Sequence, residues 1–392
     1  MANILVECPQ CIASVRVGVL EPLQYLQKNQ LCKVRYRDTK EMTREDIAWC
    51  DALVCVRGCE YPTLRVVEAA KRAGRFIAYF LDDDLLNIPT GNASTKYYSD
   101  HKIQQNLTKI LSLSDVLWAV NPRIIEKYKQ WCQRAVLAKV PARLIRKPPE
   151  LAEVLKIVFA GSVDHSAMVQ EKISPAVSRL LLDFPGKVEF SFIGADPKLP
   201  DRKSVTYYPY FDSYDHYQQV MESGNFALGL APAYDTPFYS CKYYNKFVEY
   251  TSYGILGIYE EVAPYTDIVR EGKNGYFCSG DAENWYRKIR EIVENRNSIG
   301  QTVVCAQREL ESDFSYAAVT SKIQIQIPEL EKYQAPFVEA HDIRLPPMKW
   351  IFYQERVHLI FRMYGALACF VILAKVFGKL VKLIRRNWRL KT

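Results

Sequence analysis

Apolar and polar positions along the chain fall into two successive alternations of short oily runs and amphipathic stretches. In the first, residues 4–7, 32–37, 52–56, 76–80 and 116–120 read as strands. Residues 16–27, 63–73 and 103–113 carry helical spacing between them. Short apolar runs separated by helices predict a mostly parallel sheet covered on both faces, because parallel strands need crossover connections. The pattern breaks at 143–150, where Arg146-Lys147-Pro148-Pro149-Glu150 is stiff and polar, as a linker would be. It then restarts, with strands expected at 157–160, 188–193, 226–230 and 255–259 and helices at 174–183, 214–222, 243–252 and 282–295. Two α/β domains follow, 1–147 and 150–330.

From Trp350 onward the chain turns apolar and basic. Within 371–390, apolar residues stand at 373, 376, 377, 380, 381, 384 and 388. Lys375, Lys379, Lys382, Arg386 and Arg389 recur between them. This spacing predicts an amphipathic helix with one oily and one cationic face, inside a basic tail covering 336–392.

Composition sharpens this division. The 392 residues are 49% hydrophobic and 24% charged, enough apolar material for two cores. Arg356, Arg362, Lys375, Lys379, Lys382, Arg385, Arg386, Arg389 and Lys391 are nine cations in a stretch without Asp or Glu. Without them the net charge of +8 becomes −1, so the basicity belongs to the tail. An anionic surface is the partner such asymmetry expects. An interfacial helix accounts for both faces at once. A transmembrane span around 357–374 would be interrupted by His358 and Arg362, and a nucleic-acid patch would not need so oily an opposite face. Eleven cysteines show no framework spacing, and no long apolar stretch opens the chain. A cytoplasmic protein, peripheral on the inner face of a membrane, is expected.

Candidate chemistry concentrates between Ala231 and Asp281. A strand end, Ala231-Pro232, leads through Asp235-Thr236-Pro237-Phe238 to Lys242-Tyr243-Tyr244-Asn245-Lys246-Phe247-Val248-Glu249-Tyr250. Helix N-termini attract anions through free N–H groups and the macrodipole. Lys242 and Lys246, one turn apart, would add cationic charge there, and Glu249 would lie close enough to accept ribose hydroxyls. The same three residues would also make an ordinary ion pair on a solvated helix face. Asp82-Asp83-Asp84 follows an expected strand, where it would meet acceptor hydroxyls, cap a turn or hold a cation. Cys8-Pro9-Gln10-Cys11 has redox-like spacing.

The 231–281 segment resembles the donor domain of the large retaining group of GT-B glycosyltransferases, glycosyltransferase family 4 (group 1). The resemblance rests on Ala231-Pro232, Thr236-Pro237-Phe238, Lys246 to Tyr250, Gly254, Glu271-Gly272 and Asn274-Gly275. Gly161-Ser162 after a strand resembles that family's glycine loop, and Ile193-Gly194 its next strand end. More loosely, Arg16 with Pro22, Asp51 with Arg57, and the Asp82–Asp84 run resemble a bacterial branch acting on cell-surface glycans. The resemblance implies a GT-B fold: two Rossmann-like parallel-sheet domains with a cleft between them, here with the helical tail added. It implies a glycosyltransferase acting with retention on a nucleotide-sugar donor and a glycan or lipid-linked acceptor, with no metal and no other cofactor. Gly161, Ser162, Lys242, Lys246 and Glu249 would bind the donor, Asp82, Asp83 and Asp84 the acceptor, and Asp83, His165 and Lys246 would serve the chemistry. One departure stands out. Many members carry a glutamate eight positions before the one matched by Glu249, and Cys241 occupies that place. A nucleotide-sugar epimerase of the same architecture, or a non-catalytic scaffold, remain alternative expectations.

Overall fold

The computed structural model describes residues 1–90, 94–149, 152–200, 203–211 and 213–370. Six strands form the first sheet: β1 (Ala2–Cys8), β2 (Cys32–Asp38), β3 (Ala52–Val56), β4 (Phe76–Leu81), β5 (Val116–Ala119) and β6 (Ala135–Leu137). Six more form the second: β7 (Leu155–Ala160), β8 (Val188–Ile193), β9 (Val205–Tyr208), β10 (Leu228–Ala231), β11 (Leu256–Glu260) and β12 (Tyr276–Cys278). Every pairing is parallel. The orders are β2-β1-β3-β4-β5-β6 and β12-β11-β10-β7-β8-β9.

Strands β3 and β4 are buried at every position, which explains their unbroken apolar sequences. The strands that the hydrophobic pattern does not anticipate, β6, β9 and β12, are three to four residues long and lie at sheet edges. Edge strands cover one neighbour only, so they need little apolar sequence. In each sheet the strand order reverses at one point, between β1 and β3 and between β7 and β10. A crevice opens there at the carboxyl ends of the strands.

Several segments tie the two sheets together. Residues near the expected linker run along the second unit, where Ile145 N–H donates to Ser252 O at 2.8 Å. Helix Tyr316–Gln326 packs back on the first unit, and Tyr316 Oη donates to Glu21 Oε2 at 2.5 Å. Asp51 is structural: its carboxylate accepts from Asn3 N–H at 2.8 Å and from Ala335 N–H at 3.0 Å.

After Ala335 the chain wraps the first unit. Arg75 donates to Pro336 O at 2.8 Å and Arg44 to Leu345 O at 3.2 Å. Helix Met348–Tyr364 follows and stops at Gly365, whose φ of 53° breaks the turn. No described helix is long and apolar enough to cross a membrane. Within the described part of 357–374 the helix is interrupted at Gly365, and 371–374 lie outside the described residues. The amphipathic pattern of 371–390 lies outside the described residues.

Candidate active site

The second unit contributes a floor of glycine loops. β7 ends in Gly161-Ser162, and β8 ends in Gly194 at φ +81°. A Cβ on Gly194 would sit 2.1 Å from Gly161 O, so only glycine lets the two strand ends press together. Next to them, His165 Nδ1 accepts from Ser162 N–H at 3.1 Å. Burial, and then the positive charges of Lys242 and Lys246, push the His165 pKa down to about 4. At neutral pH its ring is therefore uncharged. With Nδ1 engaged, Nε2–H is the donor left for an anion.

Thr236 begins the next part of the site. Its Oγ1 accepts from Tyr239 N–H at 3.2 Å, capping the short helix Pro237–Ser240, which has Pro at its first position. The following helix runs Asn245–Ser252, two residues later than its apolar pattern suggests. Lys242 thus precedes the helix and does not stack with Lys246 on one helical face. From the turn it reaches across the cleft to Asp83, 3.5 Å away, while its ammonium lies over the Phe238 ring at 4.6 Å. Lys246 stays on the helix and meets Glu249 Oε2 at 2.5 Å. The other Glu249 oxygen accepts from Tyr217 Oη at 2.5 Å.

Cys241 is fully buried. It packs with the first unit's core cluster and lies beside Lys127 and Asp84. It does not line the cleft cavities.

The first unit faces this with Asp82 and Asp83 at the end of β4. Arg57, at φ 53° just past β3, holds Asp82 Oδ1 at 3.0 Å and Asp83 Oδ2 at 3.7 Å. Asp84 does something else. It is fully buried and accepts from Tyr128 Oη at 2.9 Å, from Lys127 Nζ at 2.5 Å and from Asn87 Nδ2 at 2.9 Å. Its oxygens are consumed inside the fold, so its expected acceptor role is corrected to an anchoring one. Asn121 bolts the units together, donating to Ser240 O at 3.0 Å and Lys242 O at 2.7 Å.

Two of the cavities along this seam carry these side chains. The smaller, about 260 Å³, brings together Arg57, Asp82, Asp83, His165, Lys242 and Lys246, with Tyr239 and Tyr265. The larger, about 1060 Å³, is lined by Gly161, Ser162, Lys246 and Glu249 and extends to Arg16 and Gln10-Cys11. It also holds Tyr210, Phe211, Tyr214 and Tyr217, which no motif singles out. The sequence signal for Tyr210 and Phe211 is the aromatic cluster Tyr207-Tyr208-Pro209-Tyr210-Phe211 at a strand end. Cys8 is no reactive thiolate: burial, and then Glu7, push its pKa up to about 12. Among the described residues, no cluster of three His, Cys, Asp or Glu side chains could hold a metal.

Two parallel α/β units meeting at the carboxyl edges of their sheets make up the GT-B fold. Solved structures share it across nearly their whole length. Sucrose-phosphate synthase from Thermosynechococcus elongatus is 12% identical, with a TM-score of 0.62, over 84% of this chain and 99% of that one. HepE from Anabaena, solved in complex with UDP and glucose, is 11% identical, with a TM-score of 0.60, over 84% and 100%. A putative UDP-N-acetylglucosamine 2-epimerase from Listeria monocytogenes is 10% identical, with a TM-score of 0.53, over 86% and 100%. No family model and no curated protein matches the chain.

Proposed function

We propose that the protein is a glycosyltransferase moving a sugar from a nucleotide-sugar donor onto a glycan or lipid-linked acceptor at a membrane surface, with retention at the anomeric carbon. One observation carries the reading: Lys242, Lys246 and His165 of one unit converge with Asp82 and Asp83 of the other around a single cavity. A diphosphate carries the charge that two ammonium groups and a neutral imidazole donor can hold. As the sugar leaves, negative charge grows on that diphosphate, and Lys242 and Lys246 stabilise it. The departing phosphate oxygen takes the acceptor hydroxyl's proton, so no separate protein base is needed. Asp83 orients the acceptor hydroxyl from the facing wall and holds Lys242 in register. Gly161 and Ser162 admit the donor phosphates close to the backbone. Glu249, set by Lys246 and Tyr217, accepts the ribose hydroxyls.

The membrane part of the proposal rests on the acid-free basic stretch after residue 355. The test is thermal shift of the full chain with nucleoside diphosphates and their sugars, UDP first because the Anabaena neighbour was solved with it. Ligand bound to the native state raises Tm by mass action. The expected result is a shift with one nucleotide that Lys246→Ala abolishes, together with sugar transfer by the wild type. Absence of a shift with every nucleotide overturns the donor site.

Two other readings each have an observation behind them. The Listeria neighbour favours an epimerase, which would convert a nucleotide sugar with no acceptor present. Cys241, in the place of a sugar-binding glutamate and turned out of the cleft, favours a scaffold. A scaffold would bind the donor without turnover.

A further inference from the structure

Helix Met348–Tyr364 leaves a row of large apolar side chains on its outer face. Two of its arginines point at the protein: Arg356 pairs with the buried Glu60 at 3.0 Å, and Arg362 pairs with Asp100 at 2.9 Å and with Glu355 at 2.8 Å. Met348 and Leu359 seat the helix in the first unit's core, while a second row of large apolar residues faces away. Trp350 is 65% exposed, and Tyr353, Val357 and Phe361 continue the same face at spacings of 3, 4 and 4. That stripe is about 16 Å long at 1.5 Å per residue. Past Gly365 it is extended by exposed Leu367 and by Phe370, 72% exposed. A helix facing water alone would carry polar residues along that row.

We infer that this stripe is the seat of the first unit on an anionic lipid bilayer. The inference rests on the membrane reading proposed above and gives it a place in the fold. Three features favour lipid over a protein partner. The side chains are those that settle at a membrane interface, with Trp and Tyr beside aliphatic anchors. Lys349 is exposed next to the stripe. The chain leaving the stripe at Phe370 carries seven further cations and no acid, which complements anionic headgroups and not another copy of itself.

The seat is wired to the acceptor side of the cleft. Glu60, which receives Arg356, lies three residues after Arg57, which holds Asp82 and Asp83. The segment after Ser94 makes a second bridge. Lys96 lies 5.1 Å over the Tyr364 ring, Tyr97 Oη donates to Glu60 Oε1 at 2.6 Å, and Tyr98 lies beside Arg57. These contacts tie the seat to the wall of the cleft that carries Asp83.

The experiment is co-sedimentation of the full chain with vesicles of phosphatidylcholine alone or mixed with phosphatidylglycerol. The wild type is compared with Trp350→Ser/Phe361→Ser, whose altered side chains are already exposed. Tm, the shift given by UDP and the mass in solution are recorded for both. We expect binding to the anionic vesicles, weakened about tenfold or more in the variant, with Tm and UDP shift unchanged. Equal vesicle binding by both proteins, or none by either, overturns the inference. So does a wild-type dimer that the variant turns into monomers, because the stripe would then be a self-association face. A missing UDP shift in both proteins would count against the donor site alone, leaving the vesicle result to be read by itself.

Discussion

Single side chains in the cleft take roles that their neighbours in the sequence do not announce. Asp82, Asp83 and Asp84 are consecutive, yet two face the cavity and the third is locked inside by Lys127, Tyr128 and Asn87. Replacing Asp84 with Ala strands Lys127 and Tyr128 and is expected to cost roughly 3 kcal/mol in urea denaturation. Asp83→Ala is expected to keep most of the stability and to lower kcat for transfer. His165 gives a pH signature. Its pKa is about 4 in the fold against 6.5 unperturbed, so between these values the unfolded chain takes up a proton that the folded chain refuses. Its stabilising contribution is complete above pH 6.5 and is lost as pH falls toward 4. Tm should therefore drop on going from pH 7 to pH 5, and by less in His165→Asn, whose amide oxygen can still accept from Ser162 N–H.

At the scale of elements, glycine placement decides how closely the donor unit's strand ends approach. Gly194→Ala introduces a Cβ 2.1 Å from Gly161 O at a φ of +81°. An expected loss of about 2 kcal/mol, measured by thermal or urea unfolding, should come with a weaker nucleotide shift, because the Gly161-Ser162 loop must move. The long central strands and the helices between them follow directly from hydrophobic period. The start of the helix at Asn245 does not, because Tyr243 and Tyr244 are apolar in composition while serving a turn. Tyr243 is buried with its hydroxyl accepting from Val140 N–H at 3.1 Å, a contact with the chain between the two sheets. Tertiary packing there overrides the local pattern.

For the molecule as a whole, the site exists because two sheets are held edge to edge. Asn121 does much of this through two backbone carbonyls, one of them that of Lys242. Arg123 adds an exposed pair to Asp267, worth little by itself. Asn121→Ala should thus raise KM for the nucleotide sugar several-fold in steady-state assays while leaving each unit folded by circular dichroism. The glycine loops came from a family resemblance; from residue spacing and composition came the two parallel α/β units, the Lys246–Glu249 pair and the isolation of positive charge after residue 355. The last three are written in residue spacing or composition, because burying one face of a helix or strand imposes a period on its own segment. The tertiary structure alone decided that Lys242 meets Asp83, that Asp84 and Cys241 turn inward, and that the helix after Met348 turns Arg356 and Arg362 inward and leaves Trp350, Tyr353 and Phe361 exposed. Those outcomes depend on how surfaces distant in the chain are set against each other, and no local period records that placement.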